Sequence, residues 1–288
     1  MTAMMDLQTA LLDLLHEIRG TEIKLIIGGG YGIYLKDDYV RQLKLRTLFE
    51  NKPEARSTND LDLFLRPELL TQSAKLAPLK EAIDRLGYEV IKTAEKYQFV
   101  KPGPTGSTVG SIKIDILTGP EKAFAGSHVQ VDERRARPNP SVDIHAHPVN
   151  ESPTLEEGLL SIPIEGTISS GEAWRGEVFL PHPYTFLMMK LFAFRDRLHD
   201  PNKDFGRYHA LDLYSILANT TEIEWEQAED FRDRFKAEET VSEASHIVSE
   251  HFSTAENLGI IRLKESRYFR PELQLSDFIS NLQQLFPT

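Results

Sequence analysis

Asp60-Leu61-Asp62-Leu63-Phe64-Leu65 is the segment that most restricts the fold. A strand sends successive side chains to opposite faces. As a strand, this segment puts Leu61, Leu63 and Leu65 on a buried face and Asp60 and Asp62 together on the other. Two carboxylates held that close repel unless a cation lies between them, and Mg²⁺ prefers such oxygens together with substrate phosphates. A half-exposed strand with solvated acids satisfies the same pattern. Ile112-Lys113-Ile114-Asp115-Ile116 repeats the alternation, with three isoleucines inward and Lys113 and Asp115 outward. If the two strands are neighbours, Asp115 joins Asp60 and Asp62. Three carboxylates suit two-metal phosphoryl or nucleotidyl transfer, and the third can take the proton of an acceptor hydroxyl.

A third feature is Gly28-Gly29-Gly30-Tyr31-Gly32, which follows the apolar run to Ile27 and precedes an expected helix. Glycine lets backbone approach a ligand closely, and a helix start offers N–H groups to phosphate. A tight turn with close packing is the plainer reading. The P-loop pattern is absent, and a dinucleotide fingerprint starting at Gly30 fails at Leu35.

Around these features the chain reads as a helix over 6–19 closed by Gly20, a strand over 22–27, and a hydrophilic stretch over 36–56. The strand at 60–65 is followed by a helix over 67–86 and a strand at 88–91. A hairpin joins 96–101 to 111–117 through Pro102-Gly103-Pro104-Thr105-Gly106-Ser107. Short β segments rich in Pro and Gly fill 119–180. Beyond them the pattern is helical: 183–199, 207–218, 223–238, 240–252 and 272–285. The expected fold class is α+β with an α/β core, a mixed sheet flanked by helices and then a helical C-terminal region. Two domains are expected, 1–180 and 181–288.

With 288 residues, 40% hydrophobic and 27% charged, the chain is long enough to bury a substantial core. It has no Cys, which excludes disulfides, thiolate catalysis and Cys-ligated zinc. The acidic opening lacks the pattern of a signal peptide, and no apolar run approaches membrane-spanning length. The expectation is a soluble cytoplasmic protein without a membrane partner. A net charge of -11 argues against general nucleic-acid binding while allowing a local basic patch.

The helix from Pro183 carries Lys190 and Arg197, two turns apart on one edge, where they could hold a triphosphate; a surface ion-pair pattern reads the same way. The next helix offers His209, Asp212 and Tyr214. Asp143-Ile144-His145-Ala146-His147 is a weaker candidate for a metal, and Arg134, Arg135 and Arg137 for phosphate.

In this order, Gly29-Gly30-Tyr31, Arg56-Ser57-Thr58-Asn59-Asp60-Leu61-Asp62-Leu63, Lys113-Ile114-Asp115-Ile116, Lys190 to Arg197 and His209 to Tyr214 make the chain similar to the AbiEii/AbiGii-type nucleotidyltransferase toxins. These form a branch of the DNA polymerase beta-like nucleotidyltransferase superfamily. The resemblance runs over roughly 20–218. It implies a nucleotidyltransferase core and a helical region, with an active site in a cleft between them. Asp60, Asp62 and Asp115 would bind Mg²⁺ or Mn²⁺, and Gly29, Gly30, Tyr31, Ser57 and Thr58 would meet the nucleotide. Lys190 and Arg197 would bind phosphate, and Asp212 would position Lys190 or act on the acceptor. The substrate implied is an NTP and the acceptor tRNA, another RNA or a protein, with toxin action checked by a cognate antitoxin.

Three departures stand out. Gly29-Gly30 replaces the usual Gly-Ser. The segment before Asp60 is long and carries six Lys/Arg against four Asp/Glu over 36–56. Asp204 and Asp212 stand too far apart for the family's compact Asp-x-x-Asp. A nucleotide-sugar glycosyltransferase also uses Asp-x-Asp, and an NTP-binding protein without turnover would carry the same carboxylates.

Overall fold

The computed structural model describes residues 2–54, 56, 58–94, 96–103, 111–132 and 134–288. Ser57 and residues 104–110, which include Pro104 to Ser107 of the expected loop, lie outside the described residues. The chain is mixed α+β and folds as two compact units. The first comprises 1–32, 57–150 and 159–181, and the second 33–56, 151–158 and 182–288.

The first unit is built on one mixed sheet. Its elements are α1 (Thr2–Glu17), β1 (Ile26–Ile27), the first turn of α2 (Gly29–Gln42), β2 (Asp60–Leu65), α3 (Pro67–Thr71), α4 (Ala77–Arg85), β3 (Glu89–Val90), β4 (Gln98–Val100) and β5 (Lys113–Thr118). There follow β6 (Gln130–Asp132), β7 (Arg135–Arg137), β8 (His147–Pro148), β9 (Leu160–Thr167) and β10 (Ala173–Leu180). The strand order is β3-β4-β5-β2-β1-β10-β9, with β8 also on β5 and with β6 and β7 a separate pair. β2 runs parallel to β5 and antiparallel to β1, while β1 runs parallel to β10.

The alternation read in the sequence is what buries this sheet. Leu61, Leu63, Leu65, Ile114 and Ile116 have no exposed surface. Each such side chain contributes roughly 1.5–3 kcal/mol on removal from water. α1 lays Leu7, Leu11, Leu12 and Leu14 into the same core. Its polar edge is tied to the β9–β10 hairpin: Gln8 Nε2 donates to Glu165 O at 2.7 Å, and Ser169 N donates to Asp13 Oδ1 at 2.7 Å. Gly20, at φ +79°, ends that helical stretch as expected.

Three expectations need correction. The helix over 67–86 is broken into α3, a single 3₁₀ turn and α4. Pro78 lies in α4's first turn, where its missing N–H is harmless; inside one long helix its ring would clash with the preceding turn. The stretch 119–180 is not only short segments, because β9 and β10 pair over eight residues each. Residues 33–56 and 151–158, expected within the first domain, group with the helical unit.

The second unit holds the rest of α2, then α5 (Pro183–Arg197), α6 (Arg207–Ala218), α7 (Glu222–Phe235), α8 (Glu239–His251), α9 (Leu258–Lys264) and α10 (Leu275–Leu285). His182 caps α5 by accepting Tyr184 N–H on Nδ1, and Thr221 and Glu224 form a reciprocal capping box on α7. Residues 33–56 join this unit through polar ties: Lys36 pairs with Glu224, Leu48 N–H donates to Thr220 O at 3.0 Å, and Tyr214 O–H donates to Asn51 O at 2.9 Å. They also pack apolar side chains there, with Val40 and Phe49 buried and the Phe49 ring 5.3 Å from that of Tyr214. α9, not expected from the sequence, buries Ile260 and Leu263 fully. Among the described residues, no helix is long and apolar enough to cross a membrane.

Candidate functional site

β2 and β5 pair in register, with Asp60 opposite Lys113 and Asp62 opposite Asp115. Residues opposite each other share a face, so Asp60, Asp62, Lys113 and Asp115 lie together on the side away from the leucines and isoleucines. β4 adds Gln98 opposite Asp115, which places its side-chain amide on the same face beside the carboxylate. Burial pushes the Asp115 carboxyl up to about 7, and the charges of Asp62 and Asp60 push the same way; the Gln98 amide and Lys113 oppose them. Asp60 Oδ1 and Asp115 Oδ1 are both buried and have no hydrogen-bond partner.

The glycine turn lies against this face. Gly28 N–H donates to Asp62 O at 2.8 Å, joining the turn to β2. Gly29 has φ +59°, and a Cβ on it would stand 1.6 Å from Asp62 Oδ2. Glycine is therefore required twice there, for its backbone angle and for the carboxylate occupying the space. α2 starts at this residue, and its own bonding begins with Gly32 N–H donating to Gly28 O at 2.9 Å. A helix leaves the N–H groups of its first turn to outside acceptors, and its dipole favours negative charge there.

Gly30 stands in that first turn. The Tyr31 side chain is fully buried, so it packs in the core. Thr58 Oγ1 accepts Asp60 N–H at 3.2 Å and so fixes the entry to β2, while Asn59 Nδ2 donates to Ser111 O at 2.9 Å. Ser57 lies outside the described residues.

Among the described residues, no group of three or more His, Asp or Glu side chains is arranged to hold a metal ion by itself. The donors nevertheless suit Mg²⁺ or Mn²⁺ in the open manner such ions use, with one or two carboxylates from protein and the remaining oxygens from substrate phosphates and water. Two buried carboxylate oxygens without partners, one of them on a carboxyl raised by burial and by its like-charged neighbours, are what an added cation would satisfy. The Asp143–His147 segment does not supply a competing site. Asp143 has φ +58° and pairs with Lys96 at 2.5 Å, and His147 Nδ1 lies 2.9 Å from Arg134 O. Arg135 and Arg137 both pair with Asp132 across the β6–β7 hairpin.

In the second unit, Lys190 on α5 and Asp212 on α6 form a buried ion pair, with Nζ donating to Oδ2 at 2.7 Å. Arg56 completes it as a fork, with Nε to Oδ1 at 2.9 Å and Nη2 to Oδ2 at 3.0 Å, and lies over the Tyr208 ring. Burial raises the Asp212 carboxyl, but Lys190 and Arg56 outweigh it and hold it well below the usual carboxylate range. The neighbouring His209 imidazole is kept neutral by burial and by the charges of Lys190, Arg197 and Arg56. Arg197 itself donates to Ala193 O at 3.2 Å. Lys190, Arg56 and Arg197 thus gather around the buried Asp212 carboxylate.

Sequence reasoning did not assign roles to Gln98, Lys113 or the fork made by Arg56. The hairpin expected between 96–101 and 111–117 contained the signal for Gln98, since its polar position in Gln98-Phe99-Val100 faces Asp115 once the register is drawn. Arg56 has no periodicity to betray it, because it belongs to an irregular segment that reaches Asp212 only through folding.

No family model matches the chain, and no curated protein matches it. A similar solved structure is that of the antibiotic-resistance factor ANT(2'')-Ia, described in solution with substrate-regulated conformation dynamics. It is 14% identical, the match covers 81% of this chain and 95% of that chain, and the TM-score is 0.38.

Proposed function

We propose that the chain is a metal-dependent nucleotidyltransferase that moves a nucleoside monophosphate from an NTP to an acceptor hydroxyl and releases pyrophosphate. The reading is carried by the in-register pairing of Asp62 with Asp115, with Asp60 on the same face and the Gly29 backbone held against the Asp62 carboxylate. Asp60, Asp62 and Asp115 would hold Mg²⁺ or Mn²⁺, which supplies charge neutralisation on the phosphate oxygens when bound.

The protein's own contributions follow from position. The start of α2 at Gly29 and Gly30 would receive the negative charge of phosphate oxygens through its N–H groups and the helix dipole. Asp115, with its raised affinity for a proton, accepts the hydrogen of the acceptor hydroxyl as the new oxygen–phosphorus bond forms and the bond to pyrophosphate breaks. Asp212 fixes Lys190 and Arg56 in one geometry, which would hold the Lys190 ammonium in place for a phosphate-bearing ligand.

The order of motifs supports a finer reading, in which the acceptor is the end of a tRNA or another RNA and the chain is a toxin restrained by a cognate antitoxin. The test is incubation of the protein with each α-³²P-labelled NTP, Mg²⁺ and total RNA. Label is expected in RNA with wild type and not with Asp62→Asn or Asp60→Ala, at unchanged thermal stability of the variants. Undiminished transfer by either variant refutes the assignment.

A further inference from the structure

We infer that Gln98 is a positioning residue for the metal-binding carboxylate Asp115, acting from the neighbouring strand; this rests on the nucleotidyltransferase reading. Gln98 is opposite Asp115 across the β4–β5 pair, so its amide shares the face of the carboxylate and lowers its affinity for a proton. The strand that carries it is pinned on both sides: Ile91 N–H donates to Gln98 O at 3.0 Å, and Ile116 N–H donates to Tyr97 O at 2.8 Å. Phe99, the next residue, is fully buried and fixes the strand's facing. The backbone that carries the amide is therefore held on either side, which keeps Gln98 facing Asp115.

The consequence is directional. A carboxylate on a strand can turn about its own bonds, and in this crowded face Asp62 and Asp60 would drive it away from them. The Gln98 amide, a donor on the opposite residue, opposes that rotation, while Asp115 Oδ1 remains buried and without a partner. A neutral amide does this without a charge: a lysine or arginine at 98 would compete with the incoming cation for Asp115, and a glutamate would add a fourth repelling carboxylate. Partners that orient a ligating carboxylate typically change metal affinity by about 10–100-fold when removed.

The experiment is a titration of the full chain with Mn²⁺ alone, reading free Mn²⁺ by electron paramagnetic resonance, with thermal unfolding recorded on every sample. Wild type is expected to bind, Asp115→Asn to lose binding, and Gln98→Leu to bind about 10–100-fold more weakly at nearly wild-type stability. Gln98→His, which keeps a donor, should recover part of the affinity. Gln98→Leu binding Mn²⁺ within about twofold of wild type, while Asp115→Asn has lost it, overturns the role of Gln98 and leaves the metal reading intact. Equal weakening in Gln98→Leu and Gln98→His also overturns it, since a donor then makes no difference. A wild-type chain that takes up no Mn²⁺ overturns the parent reading and this inference with it.

Discussion

Replacing Gly29 by alanine tests the packing of the glycine turn against the carboxylate face. The backbone there is left-handed, φ +59°, which costs a residue with a Cβ roughly 1–2 kcal/mol. The new methyl would stand 1.6 Å from Asp62 Oδ2, 2.6 Å from its Cγ and 3.2 Å from its Cβ. The carboxylate must rotate away, at about 0.5–1.5 kcal/mol for leaving its rotamer. Together these destabilise the fold by about 1.5–3.5 kcal/mol, measurable by urea unfolding. Transfer activity should fall by about 100-fold or more, because displacing a reacting constellation by about 1 Å has that effect. Gly20→Ala is the control: its φ of +79° imposes the same backbone strain, but nothing lies within 4 Å of the added methyl. It should lose about 1–2 kcal/mol and keep full transfer and Mn²⁺ binding. Wild-type turnover in Gly29→Ala, or equal inactivation by Gly20→Ala, would refute the reasoning.

Asp212→Ala leaves the Lys190 and Arg56 charges buried without their carboxylate, and unfolding should show a loss of about 3–5 kcal/mol; a loss below about 1 kcal/mol would mean that water already compensates them. Gly28→Ala drives a methyl to 2.5 Å from Phe64 Cε2, a buried ring with no room to retreat, and should cost about 1–3 kcal/mol in urea unfolding. The Asp115 carboxyl titrates near 7 folded and near 4 unfolded, so the folded state binds the extra proton between those values and stability from this group declines as pH rises from about 4 to about 7. In the presence of a chelator, the Tm advantage of Asp115→Asn over wild type should therefore grow across that window and level off above it; a pH-independent difference counts against the shift.

The strands carrying the acids were legible because alternation survives any environment that buries one face. Ile114, Leu61 and their neighbours have a single interpretation once a strand is assumed, and the face of Asp60, Asp62 and Asp115 follows from it. The hairpin around Gln98 and the boundaries of α6 were readable for the same local reasons. β9 and β10 were not, because Leu160–Thr167 and Ala173–Leu180 interrupt their apolar alternation with Pro163, Gly166 and Gly176. Gly166 and Gly176 instead admit α1: a Cβ on either would reach 3.0 Å from Leu12 or Leu15. Such a close approach between distant segments has no periodic signature. The grouping of 33–56 with the helical unit had no local signature either, since Lys36, Leu48, Phe49 and Asn51 meet residues far along the chain.

The placement of β1 sets an order of events during synthesis. This two-residue strand sits between β2, which follows it closely, and β10, which is about 150 residues downstream. Until the ribosome has delivered residue 180, the nascent sheet ends in an open edge at Ile26–Ile27, and α1 lacks the hairpin its polar side chains grip. Closure over so long a loop is slow, and an unpaired edge can recruit other chains. Fragments ending near 150 should accordingly aggregate, and a living cell making this protein would need to shield its first third until translation has passed the β10 codons.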